Sequence, residues 1–259
     1  MVVCTCIGQS CRNQACNTNA CVLDFARTQG KGLAPDIGNF DVDTRERLLL
    51  TAERLMGERG INGVSLREIT REAGQKNASA LHYHFGSRDG LIEAIFEKRM
   101  RLIDANRMKL LDRMEREGRL DDVRCVAEAV TLPPAELLNT PDGGGNYIKF
   151  LTEMFLSTDA NIDDFVRGRL DGGLRRSFEI LKKLLPEMPE SILRQRFIIM
   201  MRAGTFALAD IDVHRKRMEA EGKPFDMQRA IGTLIDMWVG GVCAPLRSTE
   251  AKTTGREAA

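Results

Sequence analysis

Val64-Ser65-Leu66-Arg67-Glu68-Ile69, then Ala73-Gly74, then Leu81-His82-Tyr83-His84-Phe85-Gly86-Ser87-Arg88-Asp89-Gly90-Leu91 form the stretch that decides the reading of this chain. Ser65 and Glu68 have capping-box spacing, with the Ser65 hydroxyl accepting the Glu68 N–H and the Glu68 carboxylate reaching back, so a helix starts here and runs to about Ala73. Gly74 breaks it, and Asn77 can cap a short third helix from about Ala78 to His84. Gly86 ends that helix, and Ser87 caps a long fourth one, about Arg88 to Glu117. Upstream, Leu48, Leu49, Ala52, Leu55 and Met56 recur at helical spacing between an N-cap at Asp43 or Thr44 and a stop at Gly60. Three such helices with a glycine-containing turn make a helix-turn-helix. Leu81 and Phe85 share one face of the third helix, while Ser79, Ala80, His82 and Tyr83 lie largely away from it. A helix that reads the major groove needs this division: one apolar face on a core, short polar groups toward base edges, and its N-terminal N–H groups toward phosphate.

These residues resemble the signature of the TetR family of transcriptional regulators: a Thr/Ser-x-x-x-Ile second helix, an Ala-Gly turn, a Tyr-x-His-Phe-like third helix and a Lys/Arg-x-x-Leu start to the fourth. The resemblance covers about Thr44 to Met100. Between Ala73-Gly74 and Phe85 the chain has ten residues, Gln75 to His84, one more than the commonest pattern, with the extra residue in the Gln75-Lys76-Asn77 turn. The resemblance implies base contacts from Lys76, Asn77, Ser79 and His82, and phosphate contacts from Tyr83, Ser65, Arg67, Thr44 and Arg88. It also implies a palindromic double-stranded DNA operator, a homodimer joined through the last two long helices, and a small-molecule effector that releases a repressor from DNA.

Outward from the motif the chain reads as all-α: a helix-turn-helix domain over 42–90, a helical ligand-binding and dimerisation domain over 91–245, and disordered tails over 1–41 and 246–259. Helices are expected at Asp121–Thr131, stopped by Pro133 and Pro134, then from Pro134 through Leu138, Tyr147–Leu156, Ile162–Leu185, Glu190–Glu221 and Asp226–Val242. No stretch alternates with a two-residue period, so no sheet is expected. Met154, Phe155, Phe178, Met201, Phe206 and Trp238 are the pocket candidates, for an apolar or amphipathic ligand. Arg202, beside the apolar run, fits a surface or interface ion pair better than a ligand carboxylate.

A net charge of +1 means that any DNA contact rests on local Lys and Arg placement, not on bulk charge. Five of the seven cysteines, Cys4, Cys6, Cys11, Cys16 and Cys21, precede residue 22, and their spacing is not that of a zinc ribbon. A thiol- or metal-responsive regulator sensing through them is the alternative. His82 and His84 are two residues apart on a helix and face apart, so no metal site is expected there. No nucleophile elbow, P-loop or dinucleotide fingerprint occurs, so neither an enzyme nor a cofactor is expected. The chain has neither a long apolar span nor a secretory leader, so no membrane association and a cytoplasmic location are expected.

Overall fold

The computed structural model describes residues 44–76, 79–157 and 172–246. Among these residues the regular structure is helical throughout: α1 (Thr44–Arg59), α2 (Leu66–Glu72), α3 (Ser79–Phe85), α4 (Arg88–Arg116), α5 (Val123–Glu136), α6 (Gly144–Leu156), α7 (Gly172–Leu184), α8 (Glu190–Ala220) and α9 (Met227–Cys243), with 3-10 turns at Ile61–Gly63 and Leu137–Asn139. The expected tails, Asn77 and the segment from Ile162 to Asp171 lie outside the described residues, as do all five N-terminal cysteines.

The periodic residues of α1 are all buried, and so are Ile69 of α2, Leu81 of α3 and Leu91, Ile92 and Ile95 of α4. α1, α2, α3 and the start of α4 therefore share one apolar core. The caps act locally as their spacing requires. Ser65 Oγ accepts the Glu68 N–H at 3.2 Å, and Ser87 Oγ accepts the Gly90 N–H at 3.0 Å. The return half of the capping box is not made, because the Glu68 carboxylate takes the Arg59 guanidinium at 2.5 Å instead. The α3–α4 turn is so tight that a Cβ at residue 90 would stand 2.1 Å from the Phe85 carbonyl oxygen, so only glycine fits there.

α5 corrects the expectation that Pro133 and Pro134 end a helix. It continues through both to Glu136, with Pro133 itself buried. A proline at 133 cannot donate to the carbonyl of Ala129, four residues back. Arg107 of α4 supplies the missing donor, its Nε reaching the Ala129 oxygen at 3.1 Å. α6 also starts earlier than expected, at Gly144, because the Thr140 hydroxyl caps its first N–H at 3.2 Å.

α6 packs along α1, and the two backbones meet at Gly57. A Cβ there would lie 2.8 Å from the Asn146 oxygen and 2.9 Å from the Phe150 nitrogen. α8 and α9 lie side by side, and Arg196 of α8 caps the end of α9 by donating to the carbonyls of Val242, at 2.8 Å, and Ala244. Glycine-to-alanine changes inside a helix ordinarily stabilise by up to about 1 kcal/mol. Gly57→Ala should instead lower stability by about 1–3 kcal/mol, because two rigid backbone atoms must give way. Denaturant unfolding of the variant beside the wild type checks this, and a raised midpoint would contradict the close α1–α6 contact.

Candidate functional site

One end of the chain exposes cations and an aromatic ring around α3. Tyr83 is 86% exposed, with His84 edge-on beneath it at 5.1 Å. Arg67 and Lys76 are exposed and form no ion pair among the described residues. Arg45 and Arg47, exposed on the first turn of α1, were not singled out from the sequence. Arg45 stands over the Phe85 ring at 5.1 Å and so belongs to the α3 surface, while Arg47 Nη2 donates to the Thr44 hydroxyl at 3.4 Å. Ser79, exposed, opens α3.

Two residues of the expected set are turned to other tasks. Arg88, expected at a phosphate, is directed inward: Nη1 donates to the Val64 carbonyl at 2.8 Å and Nη2 to that of Ile61, which fastens the start of α4 to the α1–α2 connection. His82 Nδ1 lies 2.9 Å from the Gly86 carbonyl oxygen, so in the tautomer that donates there Nε2 is the ring's remaining polar atom. Ser65 uses its hydroxyl as an N-cap acceptor, and its O–H proton remains available to a phosphate.

The second feature is a cavity of about 130 Å³ lined by residues of α4 to α9. Of the pocket candidates, Phe155, Met201 and Trp238 are among its lining residues, and Met154, Phe178 and Phe206 are not. Met154 is buried in the packing around α6. Phe178 stacks edge-on against Phe197 at 5.4 Å beneath the Arg194 guanidinium, one layer away from the wall. Phe206 is 38% exposed on the outer side of α8. Sequence reasoning missed the α4 wall, made by Phe96, Met100, Ile103 and Arg107, and Thr131 of α5. A signal for it exists: Arg99 and Arg107 fall at helical spacing within the apolar stripe Ile95, Ile103, Leu110 and Leu111, where a charge is expected only if something polar meets it.

Between the two features lies an ion cluster whose core, Arg99 with Glu53, is buried. Arg99 of α4 donates from Nε and Nη2 to the two Glu53 oxygens of α1, at 2.9 and 2.8 Å, and from Nη1 to Asp142, before α6, at 2.7 Å. Burial pushes the Glu53 carboxyl up, and the paired Arg99 donors pull it back. No group of three or more metal-ligating side chains occurs among the described residues, and none of their helices is long and apolar enough to cross a membrane.

Comparison with known proteins places both ends of this arrangement. Residues 48–95 match the family model for bacterial regulatory proteins of the tetR family, and residues 128–241 match that for the tetracyclin repressor-like C-terminal domain. Together the two take in more than half of the chain. The chain belongs to the TetR family. A TetR-family chain is a DNA-binding regulator of transcription and not an enzyme. No curated protein matches the sequence. Among solved structures, an HlyIIR mutant is similar at 17% identity over 79% of this chain and 99% of its own, with a TM-score of 0.46. A TetR-family transcriptional regulator from Pectobacterium atrosepticum is similar at 19% identity over 79% and 96%, with a TM-score of 0.35.

Beyond the cavity wall residue Pro134, the α5 carboxylate Glu136 shows what burial does here. It accepts from Asn106 at 3.1 Å, yet burial pushes its carboxyl up to about 7, against the lowering effect of that bond and of Arg113. The folded value lies above the ordinary 4.5, so the folded chain holds the proton in that window and loses stability as pH rises through it. Glu136→Gln should therefore raise the unfolding midpoint at about pH 8 and leave it nearly unchanged at about pH 5. Thermal unfolding at the two pH values checks this; an equal gain at both would contradict it.

Proposed function

We propose that this TetR-family chain is a homodimeric repressor that holds a palindromic double-stranded DNA operator through α3 and leaves it when a small apolar or amphipathic effector fills the α4–α9 cavity. The observation that carries this reading is α4. Its first two turns close the helix-turn-helix core with Leu91, Ile92 and Ile95, and its next turns wall the cavity with Phe96, Met100, Ile103 and Arg107. A change in one is mechanically a change in the other.

Lys76, Arg67 and Tyr83, exposed around α3, are the DNA contacts the geometry favours, joined by Arg45 and Arg47. Ser79, Thr44, Ser65, Asn77 and His82 join them from the set expected from the sequence, with Arg88 left out because it is turned inward. Dimerisation through α8 and α9 is supported by a stripe of exposed apolar side chains. Ile199, Phe206 and Val213 recur every seven residues on α8 at 54, 38 and 42% exposure, and Met237 of α9 is 66% exposed. Gly232 and Gly240 leave the surface of α9 open to a close neighbour. A dimer presents two α3 helices to half-sites spaced about 34 Å, or a multiple of that, along the duplex. An effector releases DNA only if it binds the non-DNA form more tightly, which here means a form with the cavity widened and α4 displaced.

Selection of bound sequences from random duplex DNA tests the first half. A palindromic winner is expected, and no enrichment at low salt would overturn the reading. On that winner, Tyr83→Ala should weaken binding by at least about tenfold without lowering the unfolding midpoint, as the ring is exposed, and Lys76→Ala should reduce the salt slope by about 1. The combined Ile199→Glu, Val213→Glu variant should sediment as a folded monomer and lose operator binding. A dimer that persists would move the interface elsewhere.

A further inference from the structure

The cavity wall holds a charge that its apolar lining does not explain. Arg107 is buried to 3% exposure on the cavity side of α4. Its Nε is committed to the Ala129 carbonyl, and the carboxylate it pairs with, Asp104, stands at 3.4 Å from Nη1 while also accepting the Gly173 N–H at 2.9 Å. A guanidinium carries five N–H donors, and its contacts among the described residues use two of them. The burial is deep enough to bring the Arg107 pKa down to about 10, so the group stays charged at neutral pH. Among the described residues no Asp or Glu lines the cavity, and Arg202 also lines it, stacked over Phe155 at 5.3 Å. A further buried donor belongs to a wall residue of α9. Trp238 is fully buried, lines the cavity, and its indole N–H meets no acceptor among the described residues. A buried donor without an acceptor, or a buried cation with half a partner, is costly unless something polar arrives to meet it.

We propose that the effector is an organic anion, a carboxylate on a small apolar body, whose head is held by Arg107 and by the Trp238 N–H. This rests on the reading of the cavity as the effector site and goes beyond it by assigning the charge and size of the ligand. The carboxylate would supply the acceptor oxygens that Arg107 and Trp238 lack, and its body would lie against Phe96, Met100 and Leu151. In size the cavity resembles engineered apolar cavities of about 150 Å³ that take up benzene. A body of one ring or a short alkyl chain matches this volume.

Trp238 is the only tryptophan in the chain, so its fluorescence reports this cavity directly. The full-length protein would be titrated with hexanoate and phenylacetate, and with 1-hexanol and 2-phenylethanol as neutral counterparts. The carboxylates should change the Trp238 emission saturably and bind at least about tenfold more tightly than the alcohols, the margin of one charge-assisted hydrogen bond. Arg107→Gln, which keeps an amide donor for the Ala129 carbonyl, should abolish that preference while still binding the alcohols. If the alcohols bind as well as the carboxylates, the anionic assignment is overturned and the cavity remains an apolar effector site. If neither class perturbs Trp238 in the wild-type protein, the effector-site reading falls together with the proposal. The wild-type comparison stands alone should the variant fail to fold.

Discussion

The bidentate contact of Arg99 with Glu53, extended to Asp142, is the interaction on which the relation between the two halves depends. Three elements contribute: α1 carries the buried acid, α4 the buried base, and the turn before α6 a second, exposed acid. The buried Arg99–Glu53 pair adds little net stability over well-packed apolar groups, but removing either partner leaves a buried charge and costs about 3–5 kcal/mol. Its value is in specifying geometry. An apolar contact between α1 and α4 could slide by half a turn at small cost, whereas the fork of Arg99 meets both Glu53 oxygens at only one register. Lys98, next on α4, adds an ion pair to Glu46 of α1 on the more exposed side. The helix-turn-helix is thereby fixed to α4 by charge on one side and by the Leu91, Ile92 and Ile95 core on the other.

With that register fixed, α6 becomes the second shared element. One side of α6 meets α1 at Gly57, where backbone touches Cβ-free backbone. Leu151 and Phe155 of the same helix line the cavity. Tyr147 is wholly buried within α6, close enough to Glu53, Arg99 and Arg107 that the charges of all three act on its hydroxyl. Burial holds that hydroxyl protonated, well above its ordinary range. The cavity cation Arg107 and the clamp cation Arg99 sit eight residues apart on one face of α4, with Tyr147 as their common neighbour. Coupling between the cavity and the DNA-binding end would therefore need no long relay, since α4 and α6 each belong to both.

What could be read from the sequence divides along the range of the interactions. The caps at Ser65 and Ser87, the α1 stripe and the extents of α8 and α9 are set by residues three to seven positions apart, and the structure forms them much as their spacing dictates. Contacts over longer range were not legible. Pro133 reads as a stop because the donor that rescues the Ala129 carbonyl comes from Arg107, 22 residues away in sequence. Arg88 reads as a phosphate ligand because the carbonyls that capture it belong to Ile61 and Val64, and only the folded turn brings them near. The cavity was half legible for the same reason. Periodicity says that Phe155, Met201, Phe178 and Phe206 are apolar positions on helices, but which of them faces a space and which faces a neighbouring ring depends on how α7 and α8 are rotated against each other. The arginines inside the α4 stripe were the informative anomaly, since a charge at a core position implies a polar partner in the fold.

The geometry of α4 also bears on how small a change is enough. The helix has 29 residues, about 43 Å at 1.5 Å per residue. Its cavity residues lie eight to nineteen positions from Arg88, so the end that carries α3 is about 12–28 Å away from the point where a ligand would press. A tilt of about 10° about the middle of the cavity wall then moves that end by about 3 Å, comparable with the spacing of adjacent base pairs and large against hydrogen-bond tolerance. In a two-fold dimer the displacement is doubled between half-sites. A body only slightly larger than the closed cavity would suffice, provided that α4 moves as a rod. Arg99, tied to Glu53 of α1, would then carry the helix-turn-helix along with such a tilt.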